Sequence, residues 1–75
     1  MIGYSLALVE LNRQASQSKL GVKLGRVCIK HNISVAEIAL AFGVSRTAVY
    51  NWFTGKSEPN LRLESAIEKY IKKLA

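Results

Sequence analysis

Apolar residues recur at helical spacing along almost the whole chain, and nowhere do they alternate with polar residues between hairpin turn signals. The pattern predicts an all-α fold, a compact bundle of four to five helices. Its clearest stripe lies near the C-terminus, where Leu63, Ala66, Ile67, Tyr70, Ile71 and Leu74 follow spacings of three and one. Asn60 can cap that helix, Pro59 suits the position just before it, and Lys69, Lys72 and Lys73 fall where a helix C-terminus favours cations.

Two short helices are predicted in the middle of the chain. Ser34 followed by Glu37 forms a capping box that starts a helix over 35–42, and Gly43 ends it because glycine accepts the left-handed conformation that turns the chain. Ser45 can cap the next helix, from Arg46 to Phe53 or Thr54, which Gly55 stops.

Upstream, Lys19 to Lys30 reads as a helix with Leu20, Leu24, Val27, Cys28 and His31 on its core face. Gly21 and Gly25 weaken this helix by about 1 kcal/mol each, and their spacing of four suits the close approach of another helix. Beside the core face, Lys19, Lys23, Arg26 and Lys30 share one stripe within an arc of about 60° and without an acid. A solvated face and a phosphate-contacting face both fit that stripe. The N-terminal segment, about 4–17, places Tyr4, Leu8, Leu11 and Ala15 on one face and Leu6 and Val9 on another. Two apolar faces favour a packed core helix over a self-association contact.

With 75 residues, 49% of them hydrophobic, the chain has material for one small core, so 1–75 is expected to be one domain. No apolar run reaches the roughly 18 residues of a membrane span, and the start has no basic segment or cleavage site, which predicts a soluble protein of the cytoplasm. One cysteine, Cys28, and one histidine, His31, build neither a disulfide framework nor a four-ligand zinc site. Cys28 is expected to be a reduced core residue. Eleven Lys and Arg against five acids give a net charge of +6, which suggests a polyanionic partner, nucleic acid above all.

The segment 46–54 says where such a partner would sit. Ala48, Val49, Trp52 and Phe53 occupy one half of its circumference, and Arg46, Thr47, Tyr50, Asn51 and Thr54 the other. Arginine matches the acceptor pair of guanine, asparagine bonds adenine bidentately, and threonine meets thymine. Exposed helix faces are ordinarily filled with Glu, Lys and Gln, so an acid-free face of Thr, Asn and Tyr on a basic chain points to contact with DNA in the major groove.

The run SVAEIALAFGVSRTAVYNWFTGKSEP, 34–59, resembles the helix-turn-helix of the lambda-repressor and Cro family of prokaryotic and bacteriophage regulators. The family's small residue at the helix crossing is matched by Ala39, its turn glycine by Gly43, and its apolar pair on the second helix by Val49 and Trp52. The motif, 34–55, covers about a third of the chain. By position, the resemblance implies that Ser45, Arg46, Thr47 and Asn51 read bases in double-stranded DNA, while Tyr50, Thr54 and Lys56 lie near the sugar-phosphate backbone. It also implies a transcriptional regulator, in the simplest form a repressor, working as a homodimer on a palindromic operator in a bacterial cytoplasm, at the nucleoid.

Two positions depart from the family pattern. Val35 replaces a polar residue that touches a phosphate, which leaves that contact to Ser34 and neighbouring backbone N–H groups. Phe53 stands where the family is often polar, which implies deeper burial or a contact with another chain. Together with Leu6 and Val9, it motivates the alternative of a small phage protein that uses this fold to attach to host RNA polymerase or another protein. An enzyme is rejected: the five glutamates form no paired or metal-ligand spacing, no carboxylate is placed to orient His31, no phosphate-binding loop follows a strand, and no cofactor is expected.

Overall fold

The computed structural model describes residues 6–74. In chain order the helices are α1 (Leu6–Gln14), α2 (Leu20–Lys30), α3 (Val35–Phe42), α4 (Arg46–Thr54) and α5 (Leu61–Leu74). There is no strand among the described residues, and the radius of gyration is 10.9 Å. The fold is the all-α, lambda-repressor-like bundle that the periodicity and the motif predict.

The helix boundaries follow from side-chain caps. Ser34 Oγ accepts from the Glu37 N–H and Ser45 Oγ from the Ala48 N–H, each at 3.1 Å. Between these caps, Gly43 takes φ +65°, and the Val44 N–H returns to the Ala39 carbonyl at 3.0 Å, which closes α3 and starts the turn. Asn60 Oδ1 accepts from the Arg62 N–H at 3.1 Å to begin α5.

Helix α4 is central to the packing: α1, α2 and α3 all lie against it, and α5 closes over α2. Its apolar half supplies Val49, Trp52 and Phe53 to a core completed by Leu8, Leu24, Cys28, Ile38, Ala39 and Ile67. Tyr70 of α5 meets Phe42 of α3 edge-on, with ring centroids 5.7 Å apart.

The expectation that Gly21 and Gly25 admit another helix holds at both positions. A Cβ on Gly21 would lie 2.7 Å from Trp52 Cβ and 2.8 Å from the Trp52 carbonyl oxygen. One on Gly25 would lie 2.6 Å from Asn12 Nδ2 and 2.8 Å from Phe53 Cγ. The two glycines therefore receive α4 and α1 together.

Several positions differ from expectation. Helix α1 stops at Gln14, short of 17, because Ser16 and Ser18 bond to each other at 2.8 Å and the Ser18 N–H turns to Ser16 Oγ, competing with the helix ladder. Tyr4 lies outside the described residues. Helix α1 is buried along Leu8 and Asn12 alone; Leu6 is 88% exposed and Leu11 40% exposed, so it is not a core helix with two covered faces. His31 is exposed at the α2 C-cap rather than in the core, and Ala66 is exposed because α5 buries the line through Ile67.

Cys28 is buried and free, and burial, with a smaller effect from the Glu37 carboxylate, pushes its thiol from about 9 up to about 12. The folded state thus holds this proton more tightly than the unfolded chain. Its contribution to stability is complete below pH 9 and declines as pH rises towards 12. We expect a thiol reagent to leave Cys28 unmodified at pH 8 until denaturant opens the fold, as read by mass spectrometry. For Gly21→Ala, the gain in helix propensity of about 1 kcal/mol is outweighed by overpacking against α4, for a net loss of about 1 to 2 kcal/mol in urea unfolding.

Candidate nucleic-acid interface

The front of α4 is set by α3. Arg46, Thr47 and Tyr50 border a shallow depression with Val35, and Arg46 also borders a second one with Ala36, Ala39, Leu40, Val44 and Ser45. Ala39 of α3 is 7% exposed and belongs to the same core cluster as Val49 and Trp52 of α4, so a larger side chain there would have to displace its neighbours. Ser45, Arg46 and Thr47 are exposed, and Tyr50, Asn51 and Thr54 are half-buried. No acid lies on α4, and the side chains of Arg46, Thr47 and Asn51 make no hydrogen bond or ion pair among the described residues. Their donors and acceptors remain available to a ligand.

The neighbouring candidates are more constrained. Ser34 and Ser45 use their oxygens as helix caps, which leaves each hydroxyl proton to donate outward. Thr54 donates its hydroxyl back to the Tyr50 carbonyl at 3.0 Å, so only its oxygen lone pairs can face a partner. Lys56 is exposed, and its N–H donates to the Asn51 carbonyl at 2.9 Å, which fixes the chain as it leaves α4.

The tail of α4 is held by residues far away in sequence. Asn12 of α1 donates Nδ2 to the Phe53 carbonyl at 2.6 Å and to the Val22 carbonyl at 3.2 Å. Lys19 donates Nζ to the Gly55 carbonyl at 2.9 Å, placing a cation at the negative end of the helix. Phe53 itself is fully buried beneath α1 and α2. The departure from the family pattern at Phe53 is thus explained within the chain by α1, and it needs no second chain. Sequence reasoning missed Asn12. The signal for it was a single uncharged polar side chain one turn from Leu8 in an otherwise apolar line, ambiguous because outward-facing asparagines are common in helices.

The basic stripe of α2 does not act as one face. Lys19 is drawn to Gly55, and Arg26 donates to the Arg13 carbonyl at 2.8 Å, the C-terminal end of α1. Lys23 borders the groove against α5 with Lys69 and Lys72, and Lys30 borders the groove against α1. The reason is packing on both sides of α2: the arc that looked solvent-facing is divided between two neighbouring helices.

No group of three or more His, Cys, Asp and Glu among the described residues could hold a metal ion, and no helix among them is long and apolar enough to cross a membrane. A family model described as Helix-turn-helix matches residues 22–73, about two thirds of the chain; it takes in α3, α4 and most of α2 and α5, and leaves out α1. Neither the curated proteins nor the solved structures contain a match to the chain.

Replacing Asn12 with Ala leaves two buried backbone carbonyls without this donor and opens a small gap beside Phe53. We expect a loss of about 2 kcal/mol in thermal or urea unfolding. Arg13→Ala, at an exposed residue whose carbonyl, not its side chain, meets Arg26, should change stability by less than about 0.5 kcal/mol.

Proposed function

The chain belongs to the helix-turn-helix family of DNA-binding regulators, of the lambda-repressor and Cro type, and from that premise we propose that it recognises a specific double-stranded DNA sequence through the front of α4. The observation that carries this reading is the acid-free face of Arg46, Thr47 and Asn51, unengaged among the described residues and set beyond the turn that Gly43 makes. We assign base reading to Ser45, Arg46, Thr47 and Asn51 in the major groove. Ser34 at the start of α3, Tyr50, Lys56 and Lys30 are assigned to the sugar-phosphate backbone, whereas Thr54, whose hydroxyl proton is spent on the Tyr50 carbonyl, has no donor left for a phosphate. Lys19 and Arg26 are better read as helix caps than as phosphate ligands, given their internal carbonyl partners.

In this reading the described helices form one DNA-binding domain, with α1 as an accessory helix and repression by occupancy of an operator as the simplest mode of action. A homodimer on a palindromic site suits helix-turn-helix geometry, in which half-sites lie about 34 Å apart. The largest extent of the molecule is 30 Å, so two copies side by side along the duplex would nearly touch. The alternative, attachment to host RNA polymerase, has lost the support of Phe53 and rests on Leu6 and Val9 of α1.

Selection of bound duplexes from a random double-stranded library at near-physiological salt tests the proposal directly. We expect an enriched motif with dyad symmetry; recovery of the input distribution would refute base reading. Against that motif, Arg46→Ala and Asn51→Ala should each cost about 1 to 3 kcal/mol and relax preference at one position. Lys56→Ala should weaken binding to every sequence and reduce the slope of log affinity against log salt by about one.

A further inference from the structure

Helix α1 lies outside the family match, and it creates a groove that a bundle without it would lack. The groove runs between α1 and α2, with Val9 and Ile29 as its apolar floor and Arg13, Arg26 and Lys30 on its rim. Leu6, 88% exposed, stands one turn from Val9 on the same side of α1. No acid lines the groove, and Glu10, next to Val9 in the chain, is turned to Arg13 at 3.2 Å.

The other two cations are uncompensated. Arg26 meets only the neutral carbonyl of Arg13, and Lys30 makes no ion pair among the described residues. Arg26 also keeps its Nε buried without an acceptor, the sole such side-chain atom among the described residues. A carboxylate seated between α1 and α2 would offset the local charge.

We propose that this groove docks an acidic, amphipathic helical segment of a partner protein, with leucine-like side chains on Val9 and Ile29 and carboxylates against Arg26 and Lys30. The helix-in-groove mode fits because two neighbouring helix walls face each other across the groove, with Leu6 and Val9 one turn apart on α1 and Ile29 opposite on α2. A second copy of this chain is a poorer occupant: it carries +6, and its longest helix ends in Lys69, Lys72 and Lys73. None of Ser45, Arg46, Thr47 and Asn51 lines the groove, so the base-reading residues stay clear of it, and Lys30 alone is shared between its rim and the backbone assignment.

The test is selection of a displayed library of random 16-residue peptides against the whole protein, followed by binding measurements on the enriched sequences. The expected result is enrichment of Asp or Glu together with Leu, Ile or Phe at three- and four-residue spacing. Lys30→Glu combined with Val9→Ser should weaken those peptides at least about tenfold, with far-UV circular dichroism unchanged. Leu6→Asp, at a site open to solvent, provides a second variant with no folding cost and should weaken them in the same direction. The proposal is overturned if no such peptides are enriched, if the enriched peptides bind both variants as they bind the parent, or if they prove to be basic. It is equally overturned if Lys30→Glu abolishes duplex DNA binding while no peptide is enriched, since the rim would then serve DNA. Failure of the duplex selection would leave this outcome unaffected, so the two readings fail separately.

Discussion

The close approach of α2 to the tail of α4 is the contact on which the remaining geometry depends. At Gly21 the backbone of α2 comes so near Trp52 that even a methyl group would strike its carbonyl, and at Gly25 the same is true of the Phe53 ring. Each glycine costs α2 about 1 kcal/mol in helix propensity. Burial of Phe53 and most of Trp52 in a close-packed core returns more than that, about 1.5 to 3 kcal/mol for a large apolar side chain.

Once the tail of α4 is sunk to that depth, its polar ends must be satisfied. Asn12 reaches the Phe53 carbonyl and Lys19 the Gly55 carbonyl, so the last turn is bonded from α1 and from the entry to α2. The first turn is held differently, by the Ser45 cap and the core cluster that joins Ala39 to Val49. A helix of nine residues is too short to be stable in water by itself, and here both ends are fixed by the surrounding structure. Its polar face is therefore presented at a defined angle before any ligand arrives, which lowers the ordering cost of binding.

The distribution of cations follows from the same packing. Of the four basic residues of the stripe from Lys19, the α2 N-cap, to Lys30, two terminate other helices and two border different grooves. The net charge of +6 therefore says less about a DNA surface than its size suggests. Arg46 and Lys56 are exposed and uncommitted, and their position relative to α4 gives them their weight in the proposed interface.

Much of this was legible in the sequence because it depends on neighbours along the chain. Ser34 with Glu37, Gly43, Ser45 and Gly55 bound α3 and α4 through caps and two left-handed glycines, which are local chemistry, and the division of α4 into apolar and polar halves is a matter of its own period. The sequence by itself thus determined the helix-turn-helix and the residues at its front. Tertiary structure alone decided the fate of groups whose partners are distant in the chain. It placed Asn12 in the core 41 positions from Phe53, broke the α2 stripe between two neighbours, put Leu6 in solvent and His31 outside the core, and covered Phe53 from within the molecule. Periodicity shows which residues share a face, but which faces are covered depends on contacts between helices, and those are set by the whole packing at once.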